Sequence, residues 1–242
     1  WLYRRIGKLH KKFIFENIED RELFVKLKIV NETSSVSVKG CGVDTRYYQP
    51  LSDKSPADKL IFTFIGRLLY DKGIREFVEA ARIIRSDNPS IEFWVVGELD
   101  DGNPSTVDRD ELVHWVDEGT IVYHGFMKDV RPVIAQSDCI VLPSYREALP
   151  RTITEAMSME KPVITTDTAG CRETVDDGIN GYLVTLKSTE SLVQAIKKIS
   201  NLTEEERKEM GKRGREKAVA QFDDQIIADQ IFGVVKSIID EK

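Results

Sequence analysis

The chain has 242 residues, 41% hydrophobic and 31% charged, with a net charge of -6. That balance describes an ordinary soluble globular protein and argues against nucleic acid as the main partner. Its three cysteines, Cys41, Cys139 and Cys171, lie far apart and match no metal spacing, and a sparse, odd count fits a reducing cytoplasm better than a disulfide framework. No apolar run approaches the roughly 20 residues needed to span a bilayer. The chain opens on Trp1 rather than Met and reads as a piece of a longer protein. The N-terminus has neither the apolar h-region nor the small-residue cleavage site of a signal peptide.

At the start, Arg4, Arg5, Lys8, Lys11 and Lys12 are basic, with no acid before Glu16, and Trp1, Leu2, Ile6 and Leu9 follow near-helical spacing. Two readings stand: a helix lying on an anionic membrane surface, or a helix of a larger domain with a solvated basic face. Phe13 to Phe15 and Val36 to Val38 could each be a strand, too little together for an independent core. Residues 53–58 (Asp-Lys-Ser-Pro-Ala-Asp) read as a linker. Residues 1–58 are therefore expected to be the end of an upstream domain.

From Leu60 the pattern changes to alternating strands and helices. Leu60 to Ile65 reads as a buried strand, and Ile74, Phe77, Val78, Ala81 and Ile84 follow helical spacing. Ile91 to Val96 is a second strand, Glu98 to Ser105 a polar loop and Asp110 to Val116 a helix. Thr120 to Tyr123 and Asp138 to Leu142 are the third and fourth strands. Pro150 and Arg151 open a helix, followed by strands Pro162 to Thr166 and Gly181 to Val184 and a helix from Ser188 to Ile199. Thr203 with Glu206 forms a capping box for the next helix, and a last helix runs from Asp224 to Ile239. It could pack on this domain or reach back to the upstream one. Strict alternation with near-continuous apolar strands predicts an α/β fold, a Rossmann-like parallel sheet with helices on both faces. Its expected span is 59–222, with 223–242 as a C-terminal helix.

In such sheets ligands bind at the carboxyl ends of the strands. Gly66, Gly97, Gly125 and the loop holding Glu147 directly follow strands and should line one edge. Glu147 and Glu155 are separated by seven residues, the first in a loop and the second just over a turn inside a helix. A strand, a polar loop and a helix N-terminus form a natural anion site. There a carboxylate can accept from sugar hydroxyls, which suits a nucleotide sugar. Gly66-Arg67 and Lys72-Gly73 frame a second phosphate candidate, because arginine offers a planar fork and lysine a point charge. No Walker run and no Gly-x-Gly-x-x-Gly fingerprint is present. His10, His114 and His124 share no ligand spacing, so no metal is expected. His114 reads as a helix-surface residue, and His124 could line the cleft or be structural. Asp100 and Asp101 read as a solvated loop.

Gly66-Arg67…Lys72-Gly73 and Glu147-x7-Glu155 resemble the donor-site motifs of retaining glycosyltransferases of family 4, which have the GT-B fold. Gly40-Cys-Gly-Val-Asp44 is similar to the segment ending that family's first domain, and Gly170-Cys-Arg-Glu173 to a segment after the paired glutamates. The resemblance covers almost the whole chain. The loop Asn103-Pro-Ser105 and the strand end His124-Gly-Phe126 look most like bacterial members that extend lipid-linked oligosaccharides.

The resemblance implies two Rossmann-like domains, the second binding the nucleotide sugar and the first the acceptor. It implies that Gly66, Arg67 and Lys72 hold the diphosphate, and that Arg67 and Lys72 stabilise the leaving nucleotide. Glu155 would accept from the ribose, and Glu147 would contact the donor sugar with the backbone of Ala148 and Leu149. Thr152 would reach a phosphate, and Phe126 and Met127 would lie along the base. Ala148 stands where the family usually has glycine. No metal or other cofactor is implied. UDP is the expected nucleotide, with GDP as the alternative. Expected partners are a glycan or lipid-linked acceptor, and the expected location is the cytoplasm or the inner face of the cell membrane. The isolated fragment should bind donor but transfer sugar poorly. A nucleotide-sugar epimerase and a non-catalytic nucleotide-sugar-binding module are the competing readings.

Overall fold

The computed structural model describes Tyr3 and residues 10–51 and 59–240. The expected linker at 53–58 and the basic residues Arg4, Arg5 and Lys8 lie outside that set. The first elements are β1 (Phe13–Phe15), α1 (Ile18–Lys26) and β2 (Ser35–Ser37). The two strands pair in parallel, with Ile14 opposite Val36. Sequence reading did not foresee α1. Asn17 caps it by accepting from the Asp20 amide, and Glu19 and Asp20 favour its first turn. None of its residues is buried, so it carries no apolar stripe to betray it.

The main body follows as β3 (Leu60–Ile65), α2 (Ile74–Asp87), β4 (Ile91–Val96), α3 (Arg109–Asp117), β5 (Val122–Tyr123), α4 (Arg131–Gln136) and β6 (Cys139–Leu142). Then come α5 (Arg151–Ser158), β7 (Val163–Thr166), α6 (Cys171–Thr174), β8 (Gly181–Val184), α7 (Thr189–Ser200), α8 (Glu204–Gln221) and α9 (Asp224–Asp240). The six strands β3 to β8 form one parallel sheet in the order β5-β4-β3-β6-β7-β8. Side chains alternate along a strand, and β3 shows where each face goes. Phe62 and Phe64 meet Phe77 and Phe93 on the α2 side. Thr63 points the other way and bonds Ser137, just after α4, at 2.6 Å. Helices thus flank both faces, as alternation predicts.

Three expected strands are shorter, β7 by the single residue Pro162. Thr120 and Ile121 spend their amides on the Trp115 carbonyl at the end of α3, leaving Val122 and Tyr123 to pair with β4. Asp138 does not enter β6; its carboxylate accepts from the Ile61 amide at 2.9 Å. The six-residue α4 escapes periodicity, although Pro132 in its first turn is a start signal. Helix α9 buries only Ile227 among its apolar residues, and Phe232, Val235 and Ile239 are exposed. The N-terminal segment joins the base of this helix. Val43 donates to the Phe222 carbonyl at 2.8 Å, and Asp224 donates back to Val43 at 3.0 Å.

Candidate nucleotide-sugar site

Strand order runs outward in opposite directions from β3 and β6, so the crevice between their carboxyl ends is the topological switch point. Gly66 and Arg67 leave β3 on one side of it, and Ser144 to Pro150 leave β6 on the other. The two loops are stitched together. Tyr145 donates its amide to the Asp71 carbonyl at 2.8 Å, and the Ser144 hydroxyl reaches the same oxygen at 3.2 Å. Gly73 makes this approach possible. Its φ is +75°, and a Cβ there would lie 2.1 Å from the Pro143 carbonyl oxygen.

Lys72 and Glu147 meet across the crevice. The ammonium lies 2.5 Å from Glu147 Oε1, and both side chains are largely shielded from solvent. Arg67 turns the other way, with Nη1 2.8 Å from Asp100 Oδ2 on the loop after β4. Asp100, expected to be merely solvated, is the partner that orients this guanidinium. The β4 loop is fixed in turn by Leu68 donating to Glu98 at 2.9 Å and Tyr70 donating to Ser105 at 2.8 Å.

Helix α5 begins beside Glu147. Its N-cap is Pro150, whose side chain makes no cap bond. A helix leaves its first amides without internal partners, and its dipole adds positive potential there. Arg151 and Thr152 open that turn. Glu155 lies one turn deeper, is 7% exposed and has Arg151 Nε 3.0 Å from Oε1. Tyr48, from the segment before the sheet, is its hydrogen-bond partner. Burial raises the Glu155 carboxyl above its ordinary value, against the pull of Tyr48 and Arg151.

The predicted residues other than Glu155 therefore fall into three groups. Gly66, Lys72, Glu147, Ala148 and Thr152 surround the switch point, while Arg67 leans toward the β4 loop. Leu149 packs under Gly40, whose added Cβ would lie 2.9 Å from the leucine Cβ. Phe126 and Met127 follow β5, two strands from β3, where Gly97 donates to the Gly125 carbonyl at 2.9 Å. Phe126 is exposed, and Met127 packs partly on the core. His124 rests on Trp94, with ring centroids 4.7 Å apart, and its Nε2 is buried without a hydrogen-bond partner. Burial lowers its pKa. Sequence reading missed Tyr48 and Asn17, which lie far from the site in sequence. Asn17 donates to the Ala148 carbonyl at 2.9 Å. The Asn17-x-x-Asp20 cap pattern was its one available signal.

The family model for glycosyl transferases group 1 matches residues 50–217. The chain belongs to that family. It is 28% identical over 251 aligned residues to the N,N'-diacetylbacillosaminyl-diphospho-undecaprenol alpha-1,3-N-acetylgalactosaminyltransferase of Campylobacter jejuni, covering 98% of this chain and 63% of that protein. A sucrose-phosphate synthase from Thermosynechococcus elongatus superposes with a TM-score of 0.86 at 23% identity, over 99% of this chain and 61% of that one. Anabaena HepE in complex with UDP superposes with a TM-score of 0.85 at 21% identity, over 96% and 65%. The fold is that of the GT-B glycosyltransferases, and the chain spans less than two thirds of the length of these proteins. Among the described residues no helix is long and apolar enough to cross a membrane.

Proposed function

We propose that this chain is the donor-binding part of a retaining, family 4 glycosyltransferase. It moves a hexose or N-acetylhexosamine from a UDP-sugar to a glycan or lipid-linked glycan at the cytoplasmic face of the membrane. The observation that carries this reading is the Lys72–Glu147 pair at the switch point, with the uncapped start of α5 beside it. An ammonium, a carboxylate and unpaired helix amides together match a diphosphate bonded to a sugar. Lys72 and Arg67 neutralise the charge that grows on the departing diphosphate, the part a metal ion plays elsewhere, so catalysis needs no divalent cation. Glu147 faces the sugar, Glu155 the ribose, and Phe126 and Met127 flank the base. The Campylobacter relative acts on an undecaprenol diphosphate acceptor, and HepE binds UDP, which supports both ends of the reading. Residues 1–58 then close an acceptor-side domain, 59–222 hold the donor, and 223–242 return toward the first domain.

Calorimetric titration of the chain with UDP, GDP and a panel of UDP-sugars tests it, beside an Arg67→Ala/Lys72→Ala variant. Saturable UDP binding is expected. The variant should weaken it about a hundred-fold or more, since each charged hydrogen bond contributes roughly 1.5–3 kcal/mol. Undiminished binding in the variant, or no binding of UDP by the wild type, would overturn the reading. Proton NMR of the product of the complete protein reports retention directly.

A further inference from the structure

Asn17 is 1% exposed, and its amide is divided between two tasks. The carbonyl Oδ1 accepts from the Asp20 amide at 2.7 Å and so caps α1. The Nδ2 group donates to the Ala148 carbonyl at 2.9 Å and to Asp20 Oδ2, also at 2.9 Å. A cap alone would accept serine, aspartate or asparagine nearly equally. A buried group that must accept from a helix and donate to a carbonyl needs a side chain with both functions, and among the capping residues asparagine has the reach.

The carbonyl it holds belongs to the loop of Glu147. Gly170 crowds the same oxygen: it adopts φ +76°, where an added Cβ would meet Ala148 O at 2.2 Å and Glu147 O at 2.4 Å. The backbone of the loop is thus pinned by Asn17 and Gly170. Further contacts repeat the pattern. Arg146 pairs with Asp20 at 2.6 Å, Arg172 with Glu19 at 2.6 Å, and the Ile18 amide donates to Glu173 Oε1 at 2.8 Å. Residues 146–149 are therefore set by α1, which precedes the sheet, as much as by the strand they follow.

We propose that Asn17 is a positioning residue for the donor sugar: its amide tethers the Ala148 carbonyl and thereby fixes Glu147 against the sugar. The inference rests on the donor-site reading above and assigns to the N-terminal segment a role in sugar placement rather than nucleotide affinity. Arg67, Lys72 and the start of α5 touch none of the Asn17 contacts, so nucleotide binding and sugar placement should separate.

The test is Asn17→Ser, which keeps a capping hydroxyl and loses the donor to Ala148. A second variant, Asn17→Asp, keeps the cap and sets a carboxylate oxygen against the Ala148 carbonyl. UDP affinity is measured by calorimetry, and UDP release from a panel of saturating UDP-sugars is measured on the complete protein. Both variants should bind UDP within about two-fold of wild type while UDP release falls roughly ten- to a hundred-fold, the cost of a loosened reacting group. Hydrogen exchange at the amides of residues 147–149 should rise in both. Unchanged UDP release and exchange, or a parallel loss of UDP affinity, would overturn the tether. Absence of UDP binding by the wild type would instead overturn the donor-site reading and the tether with it.

Discussion

Lys72 and Glu147 are each other's nearest opposite charge, at 2.5 Å and largely out of solvent. Removing one therefore does more than remove a ligand contact. Lys72→Ala leaves the Glu147 carboxylate shielded and unmatched, which costs about 1–3 kcal/mol of stability. Lys72→Ala/Glu147→Ala should recover part of that loss without recovering UDP affinity. Thermal melts of the two variants beside titrations decide the point; equal melting of the single and double variants would contradict it. Glu155 behaves oppositely. Its folded carboxyl holds a proton more tightly than the ordinary value of 4.5, because burial disfavours the charge. The sign follows: its contribution to stability is whole below that ordinary value and is lost as pH rises through the raised one. Glu155→Gln removes the titration. The variant should be at least as stable as wild type near neutral pH, the two melting curves should converge in acid, and UDP affinity should still fall. Melting temperatures from about pH 4 to 8 would show it, and a glutamine variant less stable at neutral pH would contradict it. The motif residues of this site were legible because loop, charge and spacing coincide locally. Asp100, Tyr48 and Asn17 were not, because each acts across the fold on a residue that sequence separation hides.

At the scale of elements, legibility followed burial. Strands β3, β6 and β7 are almost wholly buried, so their apolar runs announced a sheet covered on both faces. Helix α2 buries Ile74, Phe77, Val78, Ala81 and Ile84, the stripe its spacing predicted. Helix α1 buries nothing and α4 spans six residues, so neither could show a period. The turn from β3 into α2 is where element geometry meets the site. Gly73 takes φ +75° with the Pro143 carbonyl in the place of a side chain. Gly73→Ala must rotate the turn or push the β6 loop away, and either change separates Lys72 from Glu147. A loss of about 2 kcal/mol or more is expected, with weaker UDP binding. Gly102→Ala is the control, since nothing lies within 4 Å of its added Cβ. Equal melting temperatures for the two variants would sink the argument.

For the molecule as a whole, the segment before the sheet is part of the candidate site's construction. Val43 is 1% exposed within the main core and bridges to Asp223. The Tyr48 carbonyl accepts from Ser158 Oγ at 2.5 Å, its ring packs on the core, and its hydroxyl serves Glu155. Arg131 lies 3.6 Å over the Tyr47 ring, which fastens the segment to α4 as well. A chain cut to 59–240 keeps every strand of the main sheet, so it should still melt cooperatively. It loses the burial of Val43 and Tyr48, about 3 kcal/mol together. For a domain of this size that is a fall of roughly 6–12 °C in melting temperature. It also takes Tyr48 from Glu155, the carboxylate that faces the ribose, so UDP affinity should fall although none of Gly66, Arg67, Lys72 or Glu147 has been removed. Melting and UDP titration of the cut chain separate these two effects. Wild-type UDP affinity in a chain that melts lower would mean that the segment stabilises the sheet and leaves the site alone. Loss of both would make the sheet and the segment before it one functional unit.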